Sequence, residues 1–174
     1  MLSLNTVSGL IQTTDYATAL IGNGPHHGDK LEIERLVEAR LIRRQLLEKQ
    51  NAPKFRFLIH ETLLHQEVGG QEVVAGQLQR LLEVIEYSHI ELRILPMTTW
   101  AHTASGMTTD YTIFELREPF PDVVGMETSA GALYAESPDI DLFTTTYDAL
   151  WQNEALDHVQ TVERIEIRLK EVSQ

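Results

Sequence analysis

Between Lys54 and Pro96 the chain spells out a strand, a helix and a second strand, and this succession constrains the fold more than any other feature. Phe55-Arg56-Phe57-Leu58-Ile59 is short, aromatic-rich and almost wholly apolar, as a buried central strand should be. Gly69-Gly70 breaks the chain. Val74, Leu78, Leu81, Leu82 and Ile85 then recur at helical spacing along one face. Ile90 to Leu95 forms the second strand, closed by Pro96. Strand, helix and strand in this order predict a right-handed parallel crossover.

The flanking segments add to this unit. Gly9 to Ala17 reads as a loop feeding a short helix, with Thr14 as N-cap and an end near Ile21, before Gly22-Asn23-Gly24-Pro25. Asp29 caps a long second helix that runs to about Lys49. After Pro96 a polar loop, Met97 to Met107, leads to Tyr111–Leu116, then Val123–Glu127 and Ala132–Ala135, the last two joined by Thr128-Ser129-Ala130-Gly131. Such short connections favour an antiparallel meander. Ser137-Pro138-Asp139 opens a helix bearing Leu142, Tyr147 and Leu150, and a final amphipathic helix carries Val159, Val162, Ile165, Ile167 and Leu169. The expected fold is α/β (α+β): one mixed sheet of about five strands, a parallel crossover plus an antiparallel meander, flanked by helices. No repeat or long linker divides the 174 residues, so a single domain, 1–174, is expected.

Charge narrows the function. Fourteen basic residues against 26 acidic ones leave a net charge of −12, whereas a domain that grips duplex DNA concentrates basic surface against the phosphates. The one dense basic stretch, Arg35 to Arg44, is interleaved with acids. Direct DNA binding by this chain is therefore disfavoured. Cysteine is absent, which removes disulfides, thiolate metal sites and cysteine nucleophiles. The apolar runs are too short for a membrane span, and Met1-Leu2-Ser3 lacks the basic region of a signal peptide. A cytoplasmic location without membrane contact is the expectation.

Motifs for catalysis are weak. His60 and His65 stand five apart, whereas two metal-binding histidines on one helix face stand four apart, so no metal is expected there. His26-His27 reads as an exposed turn. Gly22-Asn23-Gly24 follows a helix where a dinucleotide fingerprint needs a strand, and no nucleophile elbow occurs. No cofactor is expected. Glu115, Glu127 and Glu136 along the meander read as the wet face of a sheet.

The second helix is more informative. With Ile33 at 0° and about 100° per residue, Val37 falls near 40°, Leu36 near −60° and Leu47 near −40°. Arg40 and Arg44 then lie near −20° and 20°, inside the apolar stripe. Two arginines so placed repel one another and need anionic or carbonyl partners. Internal pairing with Glu61 or Glu127 is the plainer reading; an anionic ligand, or a partner's carboxylate, bound between them is the sharper one. The expected polar centre comprises Arg40, Arg44, Glu61, Gln12, Tyr111 and Glu127.

Several strings together resemble a known family. Ser8-Gly9-Leu10-Ile11-Gln12-Thr13 with Asp15-Tyr16-Ala17 resembles a Pro-Gly-Leu-Leu-Gln-Thr motif followed by Tyr-Ala, with Ser8 in place of the proline. Ala39-Arg40-Leu41-Ile42-Arg43-Arg44-Gln45 resembles the arginine-rich segment that follows, with one extra arginine. Glu61 with Leu64, Val68-Gly69-Gly70, Gln77-Leu78, Leu81-Leu82, Ile94-Leu95-Pro96 and Tyr134 continue in register, while Gly125-Met126-Glu127 departs from a more usual aromatic-containing string. The resemblance is to the C-terminal domain, of unassigned function, of actinobacterial helix-turn-helix regulators of the XRE type. It implies a non-catalytic domain in transcription control that senses a small acidic or anionic ligand or docks a small partner protein. DNA would be reached only through a helix-turn-helix unit of about 65 residues upstream of Leu2. A stand-alone small enzyme reusing the fold, favoured by the polar residues Arg40, Arg44, Glu61, Gln12 and Tyr111, is the alternative reading. A module that dimerises the regulator is a third.

Overall fold

The computed structural model describes residues 1–25, 27–104, 106, 108–128 and 131–174. His26, the Ser105 and Met107 positions of the polar loop, and Ser129-Ala130 of the hairpin connection lie outside the described residues. The chain opens with β1 (Leu2–Ser3) and a 3-10 turn (Gly9–Ile11), followed by helices α1 (Thr14–Gly22) and α2 (Lys30–Arg44). The crossover follows: β2 (Phe55–His60), a 3-10 turn (Glu61–His65), α3 (Gln71–Val84) and β3 (Ile90–Leu95). A short α4 (Ala101–Ala104) precedes β4 (Thr112–Phe114), β5 (Val123–Thr128) and β6 (Gly131–Ala135), and α5 (Ile140–Asn153) and α6 (His158–Val172) complete the chain.

The α/β character and the parallel crossover stand as expected: β2 and β3 pair in parallel from Phe55↔Ile90 to His60↔Leu95. The single mixed sheet does not. Among the described residues, six strands form two three-stranded sheets, parallel β1-β2-β3 and antiparallel β4-β5-β6. An isolated bridge joins them, with Leu2 and Tyr111 exchanging backbone hydrogen bonds of 2.9 and 3.2 Å. Beyond it the ladder stops, because the Asp110 carboxylate takes the backbone N–H groups of Leu4, Asn5 and Thr6 at 2.7, 2.8 and 3.2 Å. A side chain has thus captured donors that a continuing sheet would need.

Period-2 alternation gives the parallel sheet two apolar faces. Phe57, Ile59, Leu92 and Ile94 pack with Leu78 and Leu81 of α3 and Ile165 of α6. On the opposite side Leu2, Leu58 and Leu95 meet Tyr147, Leu150 and Trp151 of α5 and Val124 of β5. Arg56 also points to that side. Its guanidinium sits over the Tyr147 and Trp151 rings and reaches Glu115 and Asp148 at 3.5 and 3.6 Å. In the antiparallel sheet Val124 is the one fully buried residue. That sheet therefore covers α5 with one face and leaves the other open.

Helix boundaries follow local capping. Thr13, one residue before the expected cap, accepts the Tyr16 N–H. Asp29 caps α2 as expected, but α2 ends at Arg44 and a 3-10 turn, Gln45–Glu48, continues toward Lys49.

Candidate functional site

The open face of the antiparallel sheet forms one wall of a cleft of about 480 Å³; the segment from Asn5 to Gln12 and helix α2 form the others. The register puts Thr112, Phe114, Gly125, Glu127, Ala132 and Tyr134 on that open face, since each is paired with, or two residues from, another of the set. Across from them stand Arg40 and Arg43 of α2.

Gln12 fixes Arg40. Its buried amide donates to Val7 O at 2.7 Å, which turns Oε1 to accept from Arg40 Nη1 at 2.6 Å. The loop beneath is stitched to α3 by Gln77, which accepts the Thr13 N–H at 2.8 Å and donates to Ile11 O at 2.9 Å. Arg40 extends past Gly9, where an added Cβ would lie 3.7 Å from Arg40 Cδ, an ordinary van der Waals distance. Among the described residues no carboxylate lies within ion-pair distance of Arg40, so the half-buried guanidinium has a neutral acceptor only. Burial lowers its pKa, the neighbouring Arg43 lowers it further, and Glu127 across the cleft opposes both. The side chain stays charged all the same.

Of the residues singled out in the sequence, Gln12, Arg40, Tyr111 and Glu127 line this cleft together. Tyr111 is buried and its hydroxyl donates to Phe143 O of α5 at 3.2 Å, so the cleft receives the residue without its phenol. Burial, reinforced by Asp148, holds that phenol well above the ordinary tyrosine pKa. Glu127 is exposed at the end of β5.

Arg44 and Glu61 do not join them. Pairing of Glu61 with the α2 arginines requires α2 to pack on the central strand, and α2 packs instead on α1 and the 3-10 turn at Gly9–Ile11. Glu61 follows the end of β2 and is tucked under α6, where Arg164 donates to Oε1 and the Met97 N–H to Oε2 at 2.9 Å. Desolvation pushes its pKa up, but the Met97 and Arg164 hydrogen bonds outweigh this and hold it below the usual carboxylate range. His60 ends β2, with Nδ1 2.7 Å from Thr62 Oγ1, and His65 closes the 3-10 turn, so the two do not share a helix face.

Among the cleft residues not singled out in the sequence for the polar centre, Arg43, Asp110, Phe114 and Tyr134 shape it most. Arg43 sits three residues beyond Arg40, off the apolar stripe but within reach of the same wall. Asp110 has both carboxylate oxygens occupied by the Leu4–Thr6 backbone, and Asn5 Nδ2 adds a contact of 3.2 Å. Phe114 and Tyr134 project from the strands on either side of Gly125. A Cβ on Gly125 would meet Phe114 Cε2 at 3.2 Å and Tyr134 Cε1 at 3.3 Å, so both rings lean over the glycine. The cross-strand pair Gly125↔Tyr134 was the available signal, legible only once the register is known.

Over residues 1–167 the chain matches the family described as a domain of unknown function, DUF5753, and it belongs to that family. No curated protein and no solved structure matches it.

Proposed function

We propose that this member of the DUF5753 family is the signal-receiving domain of a helix-turn-helix transcriptional regulator, without catalysis of its own, and that the cleft between α2 and the antiparallel sheet is where the signal binds. The observation that carries the reading is Arg40. A guanidinium held by a neutral amide, with no carboxylate in ion-pair distance among the described residues, is prepared for an anion brought from outside. The cleft lies within the size range of small-molecule sites, roughly 300–1,000 Å³, and combines apolar surface with a few placed polar groups. The net charge of −12 favours a domain that acts on DNA through another part of a regulator.

The test is a reporter driven by the regulator that carries this domain. Arg40→Gln and Tyr134→Ala are expected to abolish the response to signal while leaving thermal melting close to wild type, and Arg44→Gln to preserve both. A response indifferent to Arg40 and Tyr134 overturns the reading.

A further inference from the structure

We infer that the cleft takes a planar aromatic carboxylate, its carboxylate set on Arg40 and its ring laid on the surface made by Phe114, Gly125 and Tyr134. The inference rests on the reading of this cleft as the signal-receiving site and names the class of ligand.

The anionic end follows from unspent donors and from charge balance. Arg40 uses one N–H on Gln12, and a guanidinium offers further N–H groups in a planar fork that matches a carboxylate. Gln12 fixes its direction, so little side-chain freedom remains to be lost on binding. Arg43, exposed on the same wall, adds positive potential. Two acids oppose the arginines: Asp110, whose oxygens are occupied by backbone N–H groups, and Glu127, which stays beyond ion-pair distance. A planar carboxylate matches the Arg40 fork, and the two acids limit the positive potential available to a more highly charged phosphate.

The flat end follows from the sheet. Phe114 is 46% exposed and Tyr134 71% exposed, large values for rings that line a cleft. Between them Gly125 lacks the Cβ that would stand up from the strand, which leaves a low, aromatic surface. An aromatic ligand gains offset or edge contacts with both rings, which a saturated ring of equal size does not.

The experiment is a calorimetric and NMR titration of the 174-residue protein with 2-naphthoate. The comparison compounds are 2-naphthol, cyclohexanecarboxylate and phenyl phosphate. Naphthoate is expected to bind about tenfold more tightly than naphthol, the scale of one charge-assisted hydrogen bond, up to about tenfold more tightly than cyclohexanecarboxylate, the scale of the lost aromatic contacts, and more tightly than phenyl phosphate. Shifts should map to β4–β6 and the Arg40 turn of α2. Arg40→Gln should weaken naphthoate about tenfold. Glu127→Gln, which removes a like charge, should tighten it; circular dichroism melts verify that both variants fold. Equal binding of naphthol and naphthoate, preference for phenyl phosphate, unchanged affinity in Arg40→Gln, or no binding at the solubility limit overturns the inference. Because binding is read on the domain alone, the two proposals fail separately. Naphthoate bound by a domain whose Arg40 variant keeps a normal reporter response removes the regulatory reading and keeps this one. No binding of naphthoate, with the reporter response lost in Arg40→Gln, does the reverse.

Discussion

Thr161 of α6 and Ile94 of β3 meet where a helix closes the open edge of the parallel sheet: Thr161 Oγ1 accepts the Ile94 N–H at 3.2 Å. Leu156 returns its own N–H to Ile94 O at 2.9 Å. Both outward-facing backbone groups of Ile94 are thereby satisfied by the α5–α6 junction, which prevents the edge from pairing with another chain. Thr161 is fully buried, so no water can replace its oxygen. Thr161→Val keeps the shape and orphans the N–H, and should cost about 1–3 kcal/mol, while Thr161→Ser should cost less. Denaturant melts give the energies, and hydrogen exchange at Ile94 should accelerate in the valine variant alone.

The Glu61–Arg164 contact makes stability depend on pH in a defined direction. The folded Glu61 pKa is depressed, so in mild acid the unfolded state binds the proton first. The stabilisation is complete above the ordinary glutamate value of about 4.3 and is lost as pH falls through the lower folded value. At neutral pH Glu61→Gln should destabilise by roughly 1.5–3 kcal/mol, the range for a hydrogen bond to a charged group. Since Arg164 is 40% exposed and can turn to water, the lower half of that range applies. Denaturation midpoints compared at neutral and strongly acidic pH should show the gap closing in acid; a gap independent of pH contradicts the assignment.

How far such contacts are legible in the sequence depends on their range. Hydrophobic period and breakers suffice to place β2, α3 and β3, because Phe57, Ile59, Leu92 and Ile94 alternate and Gly69-Gly70 interrupts them. β1 is only two residues long and carries no periodicity, and it exists because Leu58 N–H finds Met1 O and Leu2 finds Tyr111. The split into two sheets depends on Asp110 reaching residues more than a hundred positions away, which no local pattern encodes. The same holds for the site. Arg40 and Gln12 stand out locally as polar residues in apolar surroundings, and the structure joins them. Glu61 also stood out, yet its partner is 103 residues distant on a helix whose polar face looked ordinary.

Gly69 and Gly70 should respond differently to alanine although both have positive φ, +72° and +90°. A Cβ at Gly69 would lie 2.8 Å from Ala19 Cβ and 3.1 Å from Val73 Cβ, where α1 approaches the start of α3. Nothing lies within 4 Å of one at Gly70. Gly70→Ala should therefore cost only its backbone strain, about 1–3 kcal/mol at φ +90° and ψ 176°, whereas Gly69→Ala adds to its own strain a clash between two packed elements worth about 1–3 kcal/mol more. Equal melting temperatures for the two variants would contradict this packing of α1 on α3.

The last expectation separates support from function around the cleft. Gln12 is 2% exposed and bonds both Val7 O and Arg40, so Gln12→Leu leaves a buried carbonyl and a half-buried guanidinium without partners. It should cost about 1–3 kcal/mol, the penalty for buried polar groups left unsatisfied. Arg40→Gln returns the Gln12 oxygen to the cleft and to water. It should cost about 1 kcal/mol or less, because no carboxylate within ion-pair distance is left uncompensated. Arg44→Gln removes a side chain outside the cleft and should leave the melting midpoint within about 0.5 kcal/mol of the parent. The order Gln12 first, Arg40 second, Arg44 last is what a preorganised anion site requires. An Arg40 variant as damaged as the Gln12 variant would instead make Arg40 a structural brace, and the cleft would lose its claim to a ligand.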